Sequence, residues 1–234
     1  MTILLAIDDT DIKGSRGTGR VARSIADAIG RRFPVAGVTR HQLLVHPDIP
    51  YTSHNSCAVI EVGASGKDNL VQLFSLACQA IRSDFVTGSD PGVAAAEFEA
   101  ISPAMVAFGK DAQRAVLTQR LARDLAKNCN ILLEGLGGTE DGVIGAMAGL
   151  GLASTRNDGR FIQVGSVRGL TGPHSVEELL NAGIDLVSTT DGRIIASGMV
   201  WNPQDKSTKP CPVNGRAVLF VEERNGCYTA VRRD

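Results

Sequence analysis

The sequence predicts an α+β fold, and three observations support this prediction. The 234-residue chain is 43% hydrophobic and 21% charged, a balance that is typical of folded globular proteins. Short apolar runs suited to buried strands alternate with segments in which apolar residues recur at helical spacing. The first six predicted elements follow the order strand, helix, strand, strand, helix, strand.

The first 101 residues supply these six elements. Strands are predicted at TILLAI (2–7), VAGVTRHQLLV (35–45), CAVIEVG (57–63) and GVAAAEF (92–98). Helices are predicted at GRVARSIADAIGRRF (19–33) and KDNLVQLFSLACQAIRSDF (67–85). This order is the split βαβ pattern, so we expect a ferredoxin-like layer.

The second half, residues 102–234, continues with mixed elements. An amphipathic helix is predicted at KDAQRAVLTQRLARDLAKN (110–128), and ILLEGLGGTEDGVIGAMAGLGLAS (131–154) joins a short strand to a glycine-rich helix. Further strands are predicted at 159–167, 184–190, 193–201 and 215–223, with a short helix at 175–183. We expect the halves 1–101 and 102–234 to form one catalytic core.

Composition and missing motifs exclude several classes of protein. A net charge of -1 gives no reason to expect tight non-specific nucleic-acid binding. The five cysteines form no C-x-x-C pair, so no zinc ribbon is encoded. The sequence lacks the zinc-hydrolase, serine-hydrolase and P-loop motifs. It also lacks a signal peptide and an apolar run of about 20 residues, so we expect a cytoplasmic protein without membrane contact.

Three aspartates, Asp8, Asp9 and Asp11, follow the first predicted strand. Carboxylates at a strand end can point into a cleft, and magnesium is usually held by one or two carboxylates together with substrate phosphates. The pattern therefore predicts a magnesium site for a phosphorylated ligand. The alternative is that one aspartate caps the following helix and another forms an Asx-turn.

Two glycine-rich junctions precede helices and are candidate phosphate sites. The first, GSRGTG (14–19), contains Arg16, Gly17, Thr18 and Gly19 and follows Lys13; backbone N–H groups at a helix start can bind phosphate. The second places Gly137, Gly138 and Thr139 before a helix on which Gly142, Gly145 and Gly149 share one face. For Gly145 and Gly149, close helix packing is the alternative explanation.

Several motifs together resemble a known family. IDDTD (7–11), Thr18, HPDIPY (46–51), SDPG (89–92), GVIGAMAGLG (142–151) and PCPV (210–213) occur in this order. The same order is found in archaeal tRNA(Ile) agmatinylcytidine synthetases. In that family a kinase-like domain and a ferredoxin-like domain use ATP and magnesium to phosphorylate a cytosine oxygen, and the amine of agmatine then displaces the phosphate.

The resemblance implies roles for individual residues. Asp8, Asp9 and Asp11 would hold magnesium or assist phosphoryl transfer, and Thr18 would match a threonine that can itself be phosphorylated in the family. The segment from Gly142 to Gly145 would lie beside the nucleotide. The substrate loop, with Pro50, Tyr51, His54 and Asn55, reads IPYTSHNSC where the family usually has IPYKTRGNG.

The resemblance covers the catalytic core and leaves the acceptor open. The family's OB-fold and zinc ribbon, which grip tRNA, have no counterpart in this sequence. We expect an ATP- and magnesium-dependent phosphotransferase or ligase that acts on a small amine or on RNA, with a second copy or a partner protein supplying RNA binding. The alternatives are a magnesium-dependent phosphohydrolase and a nucleotide-binding module without catalysis.

Overall fold

The computed structural model describes residues 1–52, 54–202, 208–224 and 226–231 and has an α+β fold. The chain divides into two compact units, Met1–Thr155 and Arg156–Asp234. This division lies well beyond the boundary after residue 101 that the sequence suggested. The reason is packing, because the helices and the strand that follow residue 101 pack onto the sheet formed by the first half.

The first unit begins with the predicted order of elements. These are β1 (Ile3–Asp8), α1 (Thr18–Ile29), β2 (Val35–Gln42), β3 (Ser56–Val62), α2 (Lys67–Ser83) and β4 (Gly92–Glu97). The strands lie in the order β4-β1-β3-β2, and each is antiparallel to its neighbour. The split βαβ order predicted from the sequence is thus present as a run of elements.

The remaining elements of this unit extend the sheet and cover it. They are α3 (Pro103–Ala112), α4 (Gln119–Cys129), β5 (Leu132–Gly135) and α5 (Gly142–Ser154). Strand β5 pairs antiparallel with β4. The single helix predicted at 110–128 was wrong, because α3 ends at Ala112 and α4 begins after Thr118, whose side chain accepts a hydrogen bond from the Leu121 N–H. The intervening turn reaches the cleft described below.

The core of the first unit surrounds β1, which is buried over its whole length. Leu4 and Ala6 belong to an apolar cluster shared with α3 and α5. Since side chains alternate along a strand, Ile3, Leu5 and Ile7 point to the opposite face, and they too are fully buried. A strand buried on both faces delivers its last residue, Asp8, into the interior and not to the surface.

The second unit has its own core and its own strands. Its elements are β6 (Arg160–Gln163), β7 (His174–Ser175), α6 (Val176–Asn181), β8 (Leu186–Thr189), β9 (Met199–Trp201), β10 (Cys211–Val213), β11 (Arg216–Arg224) and β12 (Cys227–Ala230). The sheet order is β10-β11-β12-β9-β7, with β8 parallel to β11. Val187, Leu219 and Val221 are central to its apolar cluster. The strand predicted at 193–201 is only three residues long, Met199–Trp201.

Two further expectations can be compared with the described residues. The five cysteines lie outside any disulfide bond. In the part of the chain that the structure describes, no helix is both long enough and apolar enough to span a bilayer.

Candidate active site

A cleft of about 160 Å³ opens in the first unit beside the carboxyl end of β1. Asp8, Asp9, Asp11, Asp48 and Asp141 line it, while Leu43, Ile49, Val116, Leu117 and Ile144 form an apolar wall. Among the described residues, no lysine or arginine lines this cleft. The cleft therefore concentrates negative charge next to an apolar surface.

Asp8 is the most buried of these acids, with 9% of its surface exposed. Burial, and secondly the neighbouring Asp9 carboxylate, raise the pKa of Asp8 from 3.8 to about 8. The side chain packs directly against α5, since a Cβ at Gly145 would lie 1.7 Å from Asp8 Oδ2. Gly145 thus provides the space that the Asp8 carboxylate occupies.

Asp9 also lines the cleft, but its backbone conformation is unusual. Its φ of +52° is in the left-handed region, which non-glycine residues rarely adopt and which Asp tolerates better than most. Burial, followed by the nearby charges of Asp90, Asp11 and Asp141, raises the pKa of Asp9 to about 6. Asp8 and Asp9 together form a pair of carboxylates for which ionisation is costly.

Asp11 has a different environment because its oxygens already accept hydrogen bonds. Oδ1 accepts from the Thr18 N–H at 3.0 Å and from Thr18 Oγ1 at 2.8 Å, and Oδ2 accepts from Thr52 Oγ1 at 3.0 Å. Thr18 is the first residue of α1. Asp11 therefore accepts hydrogen bonds from the first residue of α1, which is in line with the alternative that one aspartate serves the start of the coming helix.

Thr18 is held from several sides at the start of α1. It is 8% exposed, and its Oγ1 accepts from the N–H and from Oγ1 of Thr10, both at 3.2 Å. Its hydroxyl donates to Asp11. Thr18 still lines the cleft, so the hydroxyl is fixed in orientation and lies beside the acidic pocket.

The chemistry of Asp8 and Asp9 fits a divalent cation. A bound cation would relieve both the mutual repulsion and the cost of burying these two charges, and two carboxylates together with ligand phosphates are a usual magnesium environment. Within the described ranges, no three His, Cys, Asp or Glu side chains are grouped so that they could hold a metal by themselves. The set of three aspartate ligands stays a prediction, and Asp8 and Asp9 are its two members whose pKa values are raised by burial.

The second glycine junction is shaped by Asp90. The Thr139 N–H donates to Asp90 Oδ1, and a Cβ at Gly138, where φ is +60°, would lie 2.0 Å from that oxygen. The N–H of Gly142 donates to the Asp90 carbonyl at 2.8 Å. An internal carboxylate therefore occupies the place on the Thr139 amide where a phosphate was expected.

Close packing accounts for the glycine face of α5. A Cβ at Gly142 would lie 2.5 Å from the Gly92 nitrogen, and one at Gly149 would lie 3.0 Å from Cys57 Sγ. Together with Gly145 against Asp8, these positions allow the helix to lie directly on the sheet. These contacts agree with the packing explanation that the sequence offered for Gly145 and Gly149, and Gly142 and Gly145 also line the cleft.

The remaining predicted phosphate residues lie elsewhere. Arg16 forms an ion pair with Asp84, and Lys13 is exposed. Gly17 is the N-cap residue of α1. The cleft lining does not include these residues, nor Gly19, Gly138 or Thr139.

All four predicted substrate-loop residues, Pro50, Tyr51, His54 and Asn55, line the cleft. Asn55 has a structural task, because its Nδ2 donates to the Leu44 carbonyl at 2.6 Å and its own carbonyl accepts from the Leu43 N–H at 2.8 Å. The other three add a proline, a phenol and an imidazole to the cleft lining.

Sequence reasoning missed Asp48, Thr52 and Asp141, which line the cleft, and it missed Asp90, whose charge acts on Asp9. The pairing of Asp8 with Gly92 brings the segment before β4 next to the end of β1. The antiparallel pairing of β1 with β4 was the feature from which the proximity of Asp90 could have been inferred. Asp141 ends the second glycine junction and accepts from Gln119 Nε2 at 2.7 Å and from Thr139 Oγ1 at 2.9 Å.

The chain is similar in fold to several solved structures. No family profile and no curated protein matches the chain. Three similar crystal structures are of TiaS, an agmatidine synthetase for an isoleucine tRNA. They are apo TiaS at 22% identity and a TM-score of 0.54, TiaS with its tRNA and ATP at 22% and 0.56, and TiaS with its tRNA, AMPCPP and agmatine at 21% and 0.55. Each match covers 64% of this chain and 35% or 36% of the other chain.

The chain thus spans about a third of the length of the TiaS chains that it matches. The structural match and the short sequence motifs both lead to the same proteins. At this level of identity, the likeness concerns the fold. The chain accordingly shares its fold with part of TiaS, which confirms the resemblance at the level of the fold.

Proposed function

We propose that the first unit binds ATP with magnesium at the cleft and transfers a phosphoryl group as part of a ligase or phosphotransferase reaction. The observation that carries this proposal is the pair of buried carboxylates, Asp8 and Asp9, in a cleft without lysine or arginine among its described lining residues. Such a cleft would repel a nucleotide unless a cation accompanied it. Similar structures contain ATP or AMPCPP together with tRNA, which supports the choice of nucleotide.

In this proposal each group of the site has a separate role. Asp8 and Asp9 hold magnesium, which when bound supplies positive charge to the phosphate oxygens. Asp11 orients Thr18, and its Oδ1, 2.8 Å from Thr18 Oγ1, is within reach to accept the threonine proton if that hydroxyl takes a phosphoryl group. Gly142 and Gly145 let α5 pack against Gly92 and Asp8, so that the start of this helix lies at the cleft beside the nucleotide.

The proposal extends to the architecture. The antiparallel order β4-β1-β3-β2, crossed by α1 and α2, supports a ferredoxin-like layer. The helices that follow residue 101 would then supply the kinase-like layer implied by the resemblance. Both layers contribute to the cleft, since α5 faces the end of β1.

The acceptor is proposed from the chemistry of the cleft and from the related complexes. An acidic cleft with an apolar wall suits an amine, and agmatine is present in one similar structure. An RNA acceptor would need its phosphates to be neutralised outside this cleft. We propose that a partner protein or a second copy of the chain provides that surface if RNA is the acceptor.

The test is the binding of ATP and magnesium by Asp8→Asn. Wild-type protein should bind ATP with magnesium saturably, and it should release ADP or AMP when agmatine and tRNA are added. Asp8→Asn should weaken the magnesium-dependent affinity at least tenfold, since one of two charged ligands is lost. Titration calorimetry measures the affinity, and chromatography of the nucleotides measures turnover.

A matched control separates this effect from a general change of charge. Asp68 is exposed in the first turn of α2, and Asp68→Asn makes the same chemical change outside the cleft. This variant should bind ATP as the wild type does. Equal affinity in wild type and Asp8→Asn, with both proteins folded, would refute the assignment of Asp8.

A further inference from the structure

We propose that Thr52 is a positioning residue. Its hydrogen bond to Asp11, called the latch below, fixes the position of one wall of the cleft. The wall is the segment from residue 45 to residue 52, which carries Asp48, Ile49, Pro50 and Tyr51 to the cleft. The latch is a feature of the structure in its own right, whereas its effect on a bound nucleotide rests on the function proposed above.

The contact is specific in geometry and in charge. Thr52 Oγ1 donates to Asp11 Oδ2 at 3.0 Å, and both groups are partly buried. The other oxygen of Asp11 accepts the two hydrogen bonds from Thr18. One carboxylate therefore joins three parts of the chain, namely the loop after β1, the start of α1 and the cleft wall.

Both ends of the wall are fixed independently of Thr52. At the start, the Leu44 N–H donates to the carbonyl of Ala112 at 3.0 Å. At the end, Asn55 exchanges hydrogen bonds with Leu43 and Leu44. Between these anchors, residues 48–52 line the cleft, and the Ile49 N–H closes a local turn onto the His46 carbonyl.

The position of Thr52 between the anchors gives its hydroxyl a direct influence on the cleft. A hydrogen bond to a carboxylate is stronger than one between neutral groups, and replacing threonine with valine removes the donor while keeping the shape. The loss would free Tyr51 and Pro50 to move relative to Asp8 and Asp9. A ligand held between the wall and these aspartates would then bind less tightly.

The test compares Thr52→Val with Thr52→Ser, which restores a hydroxyl. Thr87→Val is the matched control, because Thr87 is exposed and does not line the cleft. Hydrogen exchange by mass spectrometry, over peptides that cover residues 48–52, measures the latch. Titration calorimetry of ATP with magnesium, on the same full-length proteins, measures its consequence for a ligand.

We expect exchange in the wall to become several-fold faster in Thr52→Val, and to return to within about twofold of wild type in Thr52→Ser. We also expect the Kd for ATP with magnesium to rise about tenfold in Thr52→Val alone, the change expected for one lost hydrogen bond to a charged group. Thr87→Val should change neither quantity. Thr52→Ala provides the same comparison if the valine variant does not fold.

The outcomes separate the latch from the proposed function. Unchanged exchange in Thr52→Val would overturn the latch, and faster exchange with an unchanged Kd would overturn its positioning role. If the wild type binds no ATP, the proposed function fails, and the exchange measurement alone decides whether Thr52 holds the wall.

Discussion

Gly145→Ala tests whether α5 shapes the environment of Asp8. The added Cβ would lie 1.7 Å from Asp8 Oδ2 and 2.5 Å from its Cγ. Since an ordinary carbon–oxygen contact is about 3.3 Å, the closest pair would overlap by roughly 1.6 Å. Both partners are buried, so either the Asp8 carboxylate rotates away or α5 shifts on the sheet.

The expected cost follows from two opposing effects. Overpacking a buried site costs about 1–3 kcal/mol, while alanine stabilises a helix interior by about 1 kcal/mol relative to glycine. The variant should therefore lose up to about 2 kcal/mol in its free energy of unfolding, measured in urea. Because either change alters the position of the Asp8 carboxylate relative to α5 and the cleft, the protein's magnesium-dependent affinity for ATP should fall at least tenfold.

Gly149→Ala is the control on the same helix. It gains the same helix propensity, but its Cβ meets only side-chain atoms of Cys57, Val59 and Ala6, at 3.0 Å or more. This variant should remain within about 1 kcal/mol of wild type. Equal stability and equal ATP affinity in Gly145→Ala and Gly149→Ala would contradict the claim that α5 shapes the environment of Asp8.

Two further predictions concern titrating groups. The pKa values of Asp8 and Asp9, raised by burial to about 8 and about 6, mean that the native state keeps protons which the unfolded chain releases. Stability in metal-free buffer should therefore fall as pH rises from about 4 to 8, and melting curves of wild type should show a steeper fall than those of Asp8→Asn. Burial and the neighbouring Glu134 raise the pKa of the Cys78 thiol to about 12, whereas Cys227 is exposed. Maleimide at pH 8 should modify Cys227 and leave Cys78 unmodified in native protein, and peptide mapping that finds Cys78 modified as fast would contradict this.

Local patterns predicted the first six elements well, because each carries a complete signal. The strand predicted at residues 2–7 is β1, Ile3–Asp8, in the structure. The helix at Gly142–Ser154 was also evident from its residues. The periodicity of each element can be recognised without knowing which distant residues the element contacts.

The break between α3 and α4 could not be predicted in the same way. The residues from 110 to 128 keep a helical pattern, and the turn arises because Thr118 caps α4 while Leu117 lies against the cleft. Tertiary packing overrides helix propensity here. A periodic pattern does not distinguish one long helix from two short ones.

Only part of the site could be predicted, because some of its residues are far apart in the sequence. The acids after β1 are close together in sequence, so their proximity was evident. Asp90 and Thr52, however, reach the site through strand pairing and loop closure across long stretches of chain. The hydrogen bonds that Asp11 accepts from Thr18 and Thr52 could not be predicted, because they depend on where those two residues lie in the fold.

The left-handed backbone at Asp9 has a consequence for the variation that this position can accept. At a φ of +52°, a β-branched side chain would be strained whatever its polarity, while asparagine and glycine fit without that cost. A mutational scan would therefore find position 9 intolerant of most residues even in a protein without catalysis. Only the contrast between aspartate and asparagine, which share a backbone preference and differ in charge, isolates the contribution of the carboxylate.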